Sequence, residues 1–160
     1  MNLILFYLNE EPNCDGLWLQ DIINWSDDEW EYSHSHIQWL FPTTEESQFN
    51  ADAPILDVET IEAWQQDALL RYNLRTSYER WLSFCGITRI NDNLVIVDYK
   101  INVWGGFNHN WLRITRILKS LAALGLMHEA KEFYGLLCQI RDKIEVSERT
   151  WEFWSSFDGH

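Results

Sequence analysis

Arg113, Arg116 and Lys119 recur every third residue within Trp-Leu-Arg-Ile-Thr-Arg-Ile-Leu-Lys-Ser-Leu, residues 111–121. On a helix that spacing puts all three along one strip. Arginine presents a planar fork suited to carboxylates and phosphates, so the strip could hold an anionic group. Arg113 also borders the apolar side of the same helix, near Leu124. A guanidinium placed there needs a partner, and the competing expectation is an internal bridge to an acid of residues 10–31, with Asp15 and Asp21 as candidates.

A second candidate lies in Ser35-His36-Ile37-Gln38-Trp39-Leu40-Phe41-Pro42. His36, Gln38 and Trp39 could line a peptide groove, Gln38 bonding a ligand backbone and Trp39 forming an apolar wall. The alternative is that Ile37, Leu40 and Phe41 are core and the run merely ends a helix at Pro42. His34 and His36 point to different sides of a helix, which is poor geometry for a shared metal. His109 could neighbour either one by folding. The sequence has no Cys pair, His-Glu-x-x-His, phosphate loop or nucleophile elbow. A His, an Asp and Cys14 remain as a generic hydrolytic combination. The expectation is a protein that is not an enzyme and uses no cofactor or metal.

These groups must be positioned by helices. Trp111, Ile114, Ile117, Leu118, Leu121, Ala122 and Leu124 fill a broad apolar arc, with Asn108 or Asn110 as the cap and Gly125 as the stop. Leu126, Ala130, Phe133, Leu137, Ile140 and Ile144 continue as a second core helix, so the two form a helical hairpin. Residues 2–8 are a strand or a first helical turn. A short helix runs to Trp25, and Ser26 starts another that carries Trp30, Ser33, Ile37 and Leu40 to Pro42. Residues 42–56 form a polar loop. Asp57 caps a long helical pattern through Ile61, Trp64, Ala68, Tyr72, Tyr78, Trp81 and Cys85, closed by Gly86, with a break conceivable near Asn73. Residues 94–97 favour a strand, and alternation continues through Ile101 and Val103. Ser147 caps a last helix with Trp151, Trp154 and Phe157. The fold expected is a single mainly α domain over residues 1–160, with six or seven helices and at most a short strand pair.

Charge separates the halves. The first 70 residues hold fifteen Asp or Glu and no Lys or Arg, whereas residues 71–160 hold all twelve Lys and Arg against ten acids. The halves therefore either attract each other within one fold or leave an acidic surface for a cationic partner. A net charge of −13 argues against nucleic-acid binding. No stretch approaches the roughly 18 apolar residues of a membrane span, and the start has no secretory pattern. Cys14, Cys85 and Cys138 are odd in number and far apart, as reduced thiols are; Cys85 and Cys138 sit in apolar helical patterns and are expected in the core.

The Ser35–Pro42 run and the Asn108–Leu126 segment resemble the conserved domain of the opioid growth factor receptor family. The order of other features agrees: Asp15-Gly16, Ile22-x-x-Trp25, then a long helix ending Phe84-Cys85-Gly86-Ile87. The resemblance implies a helical domain. In animal members it implies binding of an enkephalin-type peptide and a nuclear, growth-restraining role. The chain resembles the bare domain of the family's short microbial members, without a repeat array, a C-terminal extension or a basic nuclear signal; the thiol pattern and the lack of a secretory or membrane segment lead to the expectation of a cytoplasmic location. The leading expectation is a receptor-like binding module for a peptide or protein ligand. The alternatives are a small enzyme acting on an anionic substrate at Arg113 and Arg116, and an oligomeric structural subunit using the aromatics of Trp151–Phe157.

Overall fold

In the computed structural model, residues 2–47, 50–106 and 109–157 are described. Ten helices and one two-stranded antiparallel sheet follow in the order α1 (Leu3–Tyr7), α2 (Leu19–Ile23), α3 (Asp27–Tyr32), α4 (His36–Leu40), α5 (Val58–Gln66), α6 (Ala68–Phe84), β1 (Ile87–Ile90), β2 (Asn93–Ile96), α7 (Ile101–Trp104), α8 (Asn110–Ala123), α9 (Met127–Ile140) and α10 (Glu148–Ser155). The fold is mainly α, as the apolar periodicity requires. None of these helices is long and apolar enough to cross a membrane.

Two long helical patterns are divided. Ser26 caps α3 with a reciprocal box to Glu29, but Ser33 is extended at ψ 134° and the helix stops before α4 begins. The 57–85 pattern breaks at Asp67, not near Asn73. Asp67 ends α5 in an extended conformation, and its carboxylate then accepts the Leu69 and Leu70 amides to start α6. That break changes the helical phase, which is why Tyr72 is exposed while Leu70 and Leu74 are buried. Residues 101–104 close into a helical turn instead of continuing the strand alternation. The hairpin turns through Asn91 and Asp92, both at positive φ, between the paired Ile90 and Asn93. Asx residues tolerate that region, and a turn with both central residues there matches strand twist.

The core runs the length of α6 and α8. Trp30, Trp64, Trp81, Trp104 and Trp154 are fully buried. Gly125, at φ 92°, turns α8 back into α9. The apolar arc of α8 is buried as its spacing demands, at Trp111, Ile114, Ile117, Leu118, Leu121 and Leu124. Its cap differs: Asn108 lies outside the described residues, and Asn110 is the buried first residue of the helix. Asn110 donates to the Asn102 carbonyl at 2.9 Å. α10 closes one side through Trp154, whose indole donates to Thr115 Oγ1 at 2.8 Å. Trp151 and Trp154 are therefore core, and of the aromatics expected at an exposed oligomer surface only Phe153 is largely open. Cys138 is exposed on α9, contrary to the expectation from its apolar neighbours; Cys85 is buried and Cys14 exposed.

Candidate functional site

The five short helices of the first half carry no basic residue in their last turns. The last carbonyls of any helix lack intrahelical partners. Side chains from after residue 70 supply them. Asn73 donates to the Tyr7 carbonyl at 2.7 Å, at the end of α1. Arg80 donates to the carbonyls of Ile23 at 3.1 Å and Trp25 at 2.7 Å, beyond α2, while its guanidinium lies 4.7 Å over the Trp30 ring. Arg113 serves α3 through the carbonyls of Glu31 at 3.3 Å and Ser33 at 2.7 Å. Arg116 reaches the Gln38 carbonyl of α4 at 3.4 Å, and Arg71 reaches the Trp64 and Gln65 carbonyls of α5. Cations at helix C-termini also complement the macrodipole.

This relationship settles where the basic strip points. Arg113 is 7% exposed and Arg116 half-buried, and Lys119 pairs with Glu45 at 3.0 Å. Burial lowers both guanidinium groups to about 10, so they remain cationic at neutral pH. The expected bridge from Arg113 to an acid such as Asp15 or Asp21 is replaced by bonds to backbone carbonyls. Carbonyls at a helix end need a donor, and the nearby Glu31 charge offsets part of the cost of burying the guanidinium.

The strip and the His-Gln-Trp run therefore face each other. His36, on α4, is 1% exposed, with ring centroids 5.6 Å from Trp25 and 4.9 Å from Trp30. Burial first, and then the Arg113 charge, depress it to about 3, so it is neutral at physiological pH. Gln38 spends both ends of its amide on the following loop: it donates to Ser47 Oγ and accepts from Asn50 Nδ2, each at 2.8 Å. Trp39 packs edge-on to Phe6 at 5.2 Å. The outer side of Trp39 walls a cavity of about 520 Å³, which Cys14, Asp52, Ile55, Asp57 and Thr60 also line. Gln38 thus pins the loop that carries Asp52, and Trp39 forms the wall beneath it. Of the five candidate residues, Trp39 alone lines this cavity; His36, Arg113 and Arg116 lie on the inner side, where Arg116 bonds α4 and Arg113 the end of α3.

Sequence reasoning passed over Asp52, and it read Asp57 only as a cap. Asp57 does cap α5, accepting from Thr60 N at 2.7 Å, and those bonds hold its carboxyl below the ordinary value. The Cys14 thiol is pushed up by burial and then by the charges of Asp15 and Asp52. A second cavity, of about 400 Å³, lies between Thr44, Lys119, Ala122 and Phe157, where the Glu45–Lys119 pair already supplies both charges. His109 and His34 do come together, with ring centroids 5.9 Å apart, and His109 Nε2 lies 3.0 Å from Glu31. Among the described residues no group of three or more His, Cys, Asp or Glu is arranged to hold a metal ion.

Residues 1–141 match the conserved region described as that of the opioid growth factor receptor. The chain is 42% identical over 135 residues to the opioid growth factor receptor of Mus musculus, which covers 77% of this chain and 21% of the relative. It is 39% identical over 135 residues to the Homo sapiens receptor, covering 77% and 20%. It is 38% identical over 132 residues to opioid growth factor receptor-like protein 1 of Rattus norvegicus, covering 75% and 28%. The chain thus spans between a fifth and a third of the length of these relatives. No solved structure matches.

Proposed function

The chain belongs to the opioid growth factor receptor conserved-region family, and from that premise we propose that it is a non-catalytic module recognising a peptide or protein segment that carries a basic or amine group. The observation that carries this reading is the fate of the charges. Of the fifteen acids in the first 70 residues, only Asp27 and Glu45 pair with a Lys or Arg among the described residues, and Glu31 lies 3.0 Å from His109, whose burial disfavours the charged imidazole. Arg71, Arg113 and Arg116 donate to helix-end carbonyls, Arg80 divides itself between such carbonyls and Asp27, and Arg75, Arg89 and Arg141 pair with acids after residue 70. The remaining acids, most of them exposed, present a negative face to solvent. Such a face raises the local concentration of a cationic ligand and speeds its arrival.

The names of the relatives supply the ligand class to try first. Isothermal titration with an enkephalin-type pentapeptide, at about 10 mM and about 150 mM salt, tests the reading. Affinity is expected to drop at the higher salt, where the screening length contracts from roughly 30 Å to roughly 8 Å. Absence of binding, or an affinity indifferent to salt, overturns it.

A further inference from the structure

We propose that the cavity walled by Trp39 receives the amino terminus of the peptide, with its ammonium on Asp52 and its first carbonyl oxygen accepting from Trp39 Nε1. This rests on the peptide-recognition reading above and adds a place and an orientation to it.

Four observations converge. The cavity, at about 520 Å³, falls within the roughly 300–1,000 Å³ of small-ligand pockets, which suits the first residues of an extended peptide. Trp39 is 3% exposed; the Cys14 thiol, a weak acceptor, lies beside its indole N–H, which meets no oxygen or nitrogen acceptor. Trp64, Trp81 and Trp111 also meet no such acceptor, but only Trp39 lines either described cavity. A buried donor left to a thiol is poorly satisfied, and a ligand carbonyl that displaced the Cys14 sulfur would satisfy it. Asp52 and Asp57 add two carboxylates and no Lys or Arg lines the cavity; Asp57 is occupied at the start of α5, whereas Asp52 forms no ion pair among the described residues. Leu3, Pro54 and the half-exposed Ile55 offer an apolar wall for a first side chain. A free amino terminus sets an ammonium close to a carbonyl oxygen. A lysine side chain carries its ammonium about four methylenes from the backbone and has no such acceptor beside it.

The cavity carries its own reporter. Cys14 lines it and is exposed, Cys138 is exposed on α9, and Cys85 is buried. Alkylation of the folded chain with iodoacetamide, followed by mass spectrometry of each cysteine, gives site-resolved rates with and without the pentapeptide. Saturating peptide is expected to slow Cys14 at least fivefold and leave Cys138 unchanged. By titration, Asp52→Asn and N-acetylation of the peptide are each expected to weaken binding about tenfold, as befits loss of a charge-assisted hydrogen bond. Trp39→Phe, which keeps a ring and removes the N–H, is expected to weaken it severalfold, whereas Glu62→Gln, elsewhere on the acidic half, is expected to stay within twofold. Thermal melts of each variant separate lost binding from lost folding. Binding that leaves the Cys14 rate unchanged, or that tolerates acetylation, overturns this site while the peptide-recognition reading stands. Failure of the unaltered chain to bind overturns both.

Discussion

Arg113 Nη2 donates to the Ser33 carbonyl at 2.7 Å, across 80 positions of sequence. The same nitrogen reaches the Glu31 carbonyl at 3.3 Å, and Nη1 holds Asn110 Oδ1 at 3.3 Å. One side chain thus joins the end of α3 to the start of α8. Arg113→Ala leaves two carbonyls without this donor, and each orphaned buried group costs about 1–3 kcal/mol. A loss of about 3 kcal/mol in urea unfolding is expected. Arg113→Lys should recover only part of it, since an ammonium lacks the fork. A loss below about 0.5 kcal/mol would show the bonds to be incidental.

His36 gives the stability a defined acid limb. Its folded value, about 3, lies below the ordinary 6.5, so the unfolded chain binds the proton more tightly. The contribution is complete above pH 6.5 and is lost as pH falls toward 3, at up to about 1.4 kcal/mol per pH unit. Unfolding free energies measured from pH 7 to 4 should fall less steeply in His36→Phe than in the unaltered chain. Equal slopes would mean that His36 is protonated within the fold.

Gly86 and Gly16 make a matched pair. Both have φ near 76°, but a Cβ on Gly86 would lie 1.9 Å from the Asp98 carbonyl oxygen, whereas one on Gly16 would meet nothing within 4 Å. Gly16→Ala should cost roughly 1–2 kcal/mol, the left-handed backbone penalty alone. Gly86→Ala must also displace the segment after β2 and should cost well above that. Similar melting temperatures for the two variants would refute the distinction.

Asp67→Ala removes the side-chain cap of α6. Loss of about 1 kcal/mol is expected, with Asp67→Asn close to neutral because an amide oxygen caps equally well. Equilibrium unfolding of both variants decides between capping and simple charge.

Where local rules governed, the sequence was legible. Asp57 and Ser147 cap the helices their positions call for, and the apolar arc of α8 is buried except at Ala122, which is partly exposed. The interruption at Ser33 was not, because Trp30, Ile37 and Leu40 keep helical spacing across it and the donor that rewards an extended Ser33 comes from α8. The Cys138 error has a similar origin: apolar neighbours mark a helix, but not which flank faces outward. Gln38 and Trp39 could be singled out by their motif. Asp52 could not, since a polar loop gives no period from which to place a carboxylate beside an indole.

The donated helix ends also bear on how the chain matures. Five short helices, α1 to α5, leave the ribosome before the Asn and Arg side chains that complete them, and helices of this length are marginal alone in water. Synthesis runs from the amino terminus, so Arg113 and Arg116 emerge more than 70 residues after α4. The acidic half therefore waits, exposing Trp18, Trp25, Trp30 and Trp39, until α6 and α8 are available. The bonds that complete the ends of α1 to α5 thus depend on side chains made between residues 71 and 116.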